Sequence, residues 1–304
     1  MRGLSLAKSV AVAALVLAVA ATAAAAHKPR VIANVRVGSQ PIGLTYAAGA
    51  LWSANYGGGD VARIDPRRSR VVGRADVEGS PYGVTYGAGS LWVSSFDTPF
   101  VSRIDPATNK VVARIDAGLE QAGLTATDSD VWVTVFGRGE VVRIDPATNA
   151  VKARINVGGN PETVILAAGA AWVPNENGTV ARIDPATNVV TATIRVGPDP
   201  DNAVFCRGRL WVSSLRGPRI YIVDPARAVV AARIRVGPGT EGLACSRSIW
   251  VANYGTGFVL KIDPARRRVV SRVEVGSDPR EVALALGHVW VSNQGSGTVS
   301  RIRP

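Results

Sequence analysis

The chain has 304 residues, 47% of them apolar and 19% charged, so it can bury a large core, and its composition excludes a disordered or collagen-like chain. A net charge of +12 raises nucleic acid, anionic lipid and acidic polymers as partners, a question decided by where the basic residues fall.

The first 26 residues read as a leader peptide. Arg2 and Lys8 form a short positive region, Val10 to Ala21 is an apolar stretch of small residues, and Ala24-Ala25-Ala26 offers a cleavage site before His27. The small-residue site and weak apolar stretch favour cleavage over retention as a membrane anchor. Neither cysteine lies near enough for lipid attachment. The expected product is secreted or periplasmic.

Next, Val31 to Gly38 has the form of a single strand followed by a glycine, and a repeat then begins. The seven tryptophans, Trp52, Trp92, Trp132, Trp172, Trp211, Trp250 and Trp290, recur every 39 or 40 residues. A second series follows each by about a dozen residues: Arg-Ile-Asp-Pro from Arg63, Arg103, Arg143 and Arg182, Ile-Val-Asp-Pro from Ile222, Lys-Ile-Asp-Pro from Lys261 and Arg-Ile-Arg-Pro from Arg301. Period-two alternation, broken by glycine or Asp-Pro, predicts short antiparallel strands. In residues 79–117 these are A (Tyr82 to Tyr86), B (Leu91 to Ser95), C (Val101 to Ile104) and D (Val111 to Ile115). Between C and D, Asp105 can accept from turn amides, Pro106 sets φ and Asn109 tolerates the left-handed residue.

Such a sheet cannot bury both faces alone, so radial stacking is required, with the strand-B tryptophan packed between units. The last unit stops at Pro304 after its C strand, and Val31 to Val37 supplies the missing D strand. The chain therefore reads as an all-β, seven-bladed β-propeller over residues 27–304, closed by its N-terminal strand.

The pattern RIDPATN-x-VV-x-RI-x-VG-x-x-P-x-GV-x-x-G-x-G-x-x-WV resembles the YVTN-type and virginiamycin B lyase-like propeller repeats over residues 31–304. The resemblance implies a site at the channel mouth, where loops enter strand A and leave strand B. It also implies, as alternatives, a binding or scaffold module and a metal-assisted lyase or lactonase. The lyase-like members use a histidine base, and the histidines here are His27 and His288, the latter at a turn position that varies between blades. Their glutamate three residues after tryptophan is replaced by Asn55, Ser95, Val135, Asn175, Ser214, Asn253 and Asn293.

Where the copies differ, function can reside. Entering strand A, one position reads Ile42, Tyr82, Ala122, Glu162, Asp201, Glu241 and Arg280, with Asp199, Asp278 and Glu281 nearby in sequence. Gathered carboxylates need water, a cation or a basic ligand, so these form either a solvated rim or a site. Glu162, Asp201 and Glu241 could together bind Ca²⁺ or Mg²⁺ weakly. Tyr56, Phe96, Phe100, Phe136 and Tyr254 in the B–C loops either floor a site for a protein, peptide, glycan or ring compound or plug the core.

The repeated basic residues of strands C and D are expected to pair with nearby Asp and to discourage edge association. No aromatic-interleaved basic groove is present, so nucleic acid is not indicated, and a monomer is expected. One cluster exceeds the repeat: Arg67, Arg68 and Arg70 in blade one and Arg266, Arg267 and Arg268 in blade six, on the face opposite the mouth, suited to an anionic envelope surface. Cys206 and Cys245 each lie five residues before a tryptophan. Adjacent blades and an oxidising compartment favour a bridge, whereas equivalent side chains pointing the same way round the ring oppose it.

Overall fold

The computed structural model describes residues 28–304, so the leader, its cleavage site and His27 lie outside the described residues. Seven four-stranded antiparallel sheets stand radially as blades. In blade two the strands are Pro81–Gly87, Ser90–Ser95, Phe100–Asp105 and Lys110–Asp116, each longer by at most one residue per end than the alternation predicts. The C–D turn forms as its sequence demands: the Asp105 carboxylate accepts from Ala107 N at 2.9 Å and Thr108 Oγ1 at 2.8 Å, and Asn109 takes φ 58°.

The closing strand, Arg30–Arg36, pairs antiparallel with Thr298–Arg303, from Arg30 opposite Arg303 to Arg36 opposite Thr298. Ring, closure and cores are thus complete within residues 28–304.

Each tryptophan packs between blades, as Trp52 does in one cluster with Val84, Leu91 and Ile104 of the next blade. The repeated strand-C cation departs from expectation. Its main partner is the tryptophan beside it: Arg63, Arg103, Arg143, Arg182, Lys261 and Arg301 place their charge 4.7 to 5.7 Å from the indole ring of their own blade. Several also reach the next blade's C–D turn, as Arg103 Nη1 donates to Pro146 O at 2.7 Å and Asn149 Oδ1 at 3.0 Å. Among the described residues, Arg143 alone in this series is ion-paired with an aspartate, Asp130. The aspartate of the repeat accepts from amides of its own turn, as Asp65, Asp105, Asp145 and Asp263 do, and Asp224 also pairs with Arg209 of strand B at 3.2 Å. The repeated arginine of strand D does meet acids in three blades, Arg74 with Asp60, Arg114 with Glu78 and Arg154 with Glu140.

Cys206 and Cys245 are joined, with their Cα atoms 5.8 Å apart. In blade five, Phe205 lies opposite Leu210 and Cys206 opposite Arg209; in blade six, Cys245 lies opposite Ile249. Leu210 and Ile249 both immediately precede their tryptophan, so Cys245 holds the place of Phe205 and not that of Cys206. One residue fewer in the blade-six hairpin moves the cysteine by one pleat and turns its side chain to the other face of the strand. The two sulfurs therefore face each other across the blade junction.

Candidate functional site

Strand A is the innermost of each blade, and neighbouring A strands touch around the channel. Close approach is permitted by glycine: a Cβ on Gly43 would lie 2.6 Å from Tyr82 O, and one on Gly242 2.5 Å from Arg280 O. Blades four, five and seven instead place Thr163, Asn202 and Glu281 at this position. In blade four, strand A shortens to Ile165–Ala167, since Pro174 of strand B has no amide hydrogen to give the ladder. Hydroxyls of strand B fix the ring: Ser292 Oγ accepts from Glu281 N at 2.9 Å and donates to Ile42 O at 2.6 Å, linking blades seven and one.

The two sequence columns meet at the mouth. Backbone bonds from the residue four past each tryptophan to the loop entering strand A recur around the ring, among them Tyr56 N to Gln40 O at 2.9 Å, Phe136 N to Glu120 O at 2.8 Å and Glu176 N to Asn160 O at 2.9 Å. They seat Tyr56, Phe96, Phe136 and Tyr254 beside a small cavity lined by Tyr82, Glu162, Asp201, Glu241, Arg280 and Glu281. Phe100 begins strand C opposite Asp116 and takes no part in the aromatic contacts.

Arg280 organises the cavity. Its Nη1 donates to Glu241 Oε1 at 2.6 Å and its Nη2 to the Tyr82 hydroxyl at 2.9 Å, while the guanidinium lies 5.4 Å from the Tyr254 ring. Glu241 is only 3% exposed, so it is no solvated rim residue. Asn202 Nδ2 donates to Glu281 Oε2 at 3.0 Å, tying blade five to blade seven. Tyr56, Tyr82, Phe96 and Phe136 form a continuous wall with ring centres 6.2 to 6.4 Å apart, combining packing with a face open to the mouth.

Burial pushes the carboxyls up, and their mutual repulsion adds to it. Burial and Asp201 hold Glu162 at about 8. Burial holds Asp201 at about 6 against the pull of Arg280, and Glu281 at about 7 against the Val282 amide. Glu241 is raised in the same way, burial outweighing Arg280. Burial also raises the Tyr82 phenol, while the carboxylates and Tyr82 hold Arg280 charged despite its burial. One guanidinium thus faces four carboxyl groups that it cannot neutralise together.

The expected Ca²⁺ or Mg²⁺ trio shares this cavity without forming a ligand set. Among the described residues, no three His, Cys, Asp or Glu side chains are grouped to hold a metal, and Glu241 is turned to Arg280. The donors fit an internal guanidinium better than a resident metal. His288, on the opposite face, lies with Nδ1 2.9 Å from its neighbour's carbonyl, Leu286 O, and cannot serve as a base here. The asparagines standing in for the lyase-like glutamate are structural: Asn55, fully buried, donates to Val37 O at 3.0 Å.

Glu176 was legible only as a column member. It is the acidic residue of the ring that holds Tyr56, Phe96 and Phe136, four past its tryptophan. At the rim Arg216 links it, at 3.3 Å, to Asp199, also at 3.3 Å.

No protein family and no curated protein matches the chain. Among solved structures it is similar to hydrazine synthase of Kuenenia stuttgartiensis, with a TM-score of 0.79 at 18% identity over 88% of this chain and 96% of that one. A likeness at that identity is one of fold.

Proposed function

We propose that the protein is an exported binding propeller that takes a small organic cation, an amine or ammonium group on an aromatic or aliphatic body, at the channel mouth. The observation that carries this reading is the imbalance of four carboxyl groups against Arg280 in a cavity walled by Tyr82 and its aromatic neighbours. An added cation would relieve the carboxylate repulsion, and an apolar body would cover the rings. Export is supported by the leader and by the Cys206–Cys245 bridge, which suits an oxidising compartment. The protein acts in this reading as a binding or scaffold module. Metal-assisted lyase or lactonase chemistry would instead require Ca²⁺ or Mg²⁺ at Glu162, Asp201 and Glu241.

Calorimetric titration separates the two. Phenethylamine or tetramethylammonium is expected to bind the parent and to lose at least about tenfold in affinity, ~1.4 kcal/mol, in the Glu162→Gln/Asp201→Asn variant. Binding of Ca²⁺ or Mg²⁺ with no response to either organic cation would replace this reading with the metal one.

A further inference from the structure

Strand A runs from the mouth to the A–B turns, so these turns, the C–D turns and the Arg30–Arg303 end of the closing pair share the opposite face. That face is unevenly charged. Arg67, Arg68 and Arg70 in blade one and Arg266, Arg267 and Arg268 in blade six are all exposed, whereas the same turns of blades two to four read Ala-Thr-Asn. The carboxylates beginning the two arginine-rich turns are already engaged, Asp65 by Arg68 and Asp263 by Arg266, each at 3.1 Å. Blade seven lies between these sectors and adds the cross-strand pair Arg30 and Arg303.

An apolar feature stands in the middle. The A–B turn of blade seven is tipped by Leu286, 44% exposed at φ 47°, where other blades place Ala48, Ala88, Ala168 or Arg207. A leucine gains nothing from a left-handed turn position, and its exposure to water is unfavourable. Tyr46, 36% exposed, and Pro304 line a shallow hollow with it. The described chain enters at Lys28 and Arg30 on this same face, adding two cations to it.

We propose that this face docks on an anionic lipid bilayer, the arginines of blades one and six lying over the headgroups and Leu286 with Tyr46 entering the interface between headgroups and acyl chains. Charge complementarity selects an anionic surface, and the apolar centre selects lipid over a soluble polyanion, which would leave Leu286 in water. Docked in this way, the propeller turns its mouth away from the membrane. The proposal is independent of the ligand reading and fails separately from it.

The test is co-sedimentation of residues 28–304, which contain the complete ring, with phosphatidylcholine vesicles containing about 30% phosphatidylglycerol or none. Binding is expected only to the anionic vesicles, to weaken as salt approaches ~0.5 M, and to fall by about tenfold or more when the six arginines become serine. Leu286→Asp is expected to weaken it severalfold while leaving phenethylamine binding and the melting temperature unchanged. The proposal is overturned if the parent shows no preference for anionic vesicles, or if the six-fold variant, shown folded by its melting curve, sediments as the parent does. It is equally overturned if Leu286→Asp has no effect and soluble polyphosphate competes fully, which would make the partner a polyanion.

Discussion

Arg280 of blade seven donates to the Tyr82 hydroxyl of blade two at 2.9 Å, reaching past blade one, whose residue at that position is the apolar Ile42. With the 2.6 Å bond to Glu241 it ties three blades together across the channel. A side chain that joins non-adjacent blades restrains the ring where backbone pairing cannot. Replacing Arg280 by Met should therefore cost about 3 kcal/mol, because Glu241 is left buried without its cation. Glu241→Gln, which keeps an acceptor for Arg280, should cost less than about half of that. Urea denaturation of both variants measures the difference, and equal losses would contradict the arrangement.

The raised carboxyls fix the direction of pH dependence. Glu162 at about 8, Glu281 at about 7 and Asp201 at about 6 keep protons in the folded chain that the unfolded chain releases in the ordinary carboxylate range. The folded state binds more protons throughout this window, so their contribution is fully present below about pH 4 and is lost as pH rises through 6 to 8. Asp130, held at about 2 by Arg143 and Lys152 against burial, acts in the opposite sense and only in stronger acid. The melting temperature should fall by several degrees between pH 5 and pH 8.5, and Glu162→Gln with Glu281→Gln should flatten the fall. A profile that rises over this range would refute the assignment.

The Cys206–Cys245 bridge closes a loop with a sequence separation of 39. Constraint of the unfolded chain over such a loop corresponds to about 4 kcal/mol. The double substitution to serine should lose about that much in urea denaturation, and the unfolded, unreduced parent should show no reactive thiol.

The strand-C cations should differ in value although they share one sequence position. Arg143 stacks on Trp132 at 4.7 Å, pairs with Asp130 at 2.8 Å and donates to Pro185 O of the next blade at 2.6 Å. Lys261 has the Trp250 contact, at 5.1 Å, and no ion pair within the described residues. Arg143→Ala should cost about 2–3 kcal/mol and Lys261→Ala below about 1, a contrast that thermal melts of the two variants resolve.

Blade number, strand boundaries and ring closure were all legible in the chain, because a repeat states its own period and the strand missing after Pro304 appears at Val31 to Val37. So was the convergence of Tyr82, Glu162, Asp201, Glu241 and Arg280, since a single column of a closed ring must meet at its axis. Even the cysteine register had a signal: Asp201 lies ten residues before its tryptophan and Glu241 nine, so the blade-six hairpin is one residue short. The partners were not legible. Whether Arg280 turns to Glu241 or to solvent, and whether a repeated arginine meets an aspartate or an indole, depends on distances across blades and on side-chain directions that no spacing along the chain encodes. The tertiary structure decided these contacts, and with them the burial that separates a set of like charges in sequence from an unbalanced site around one guanidinium.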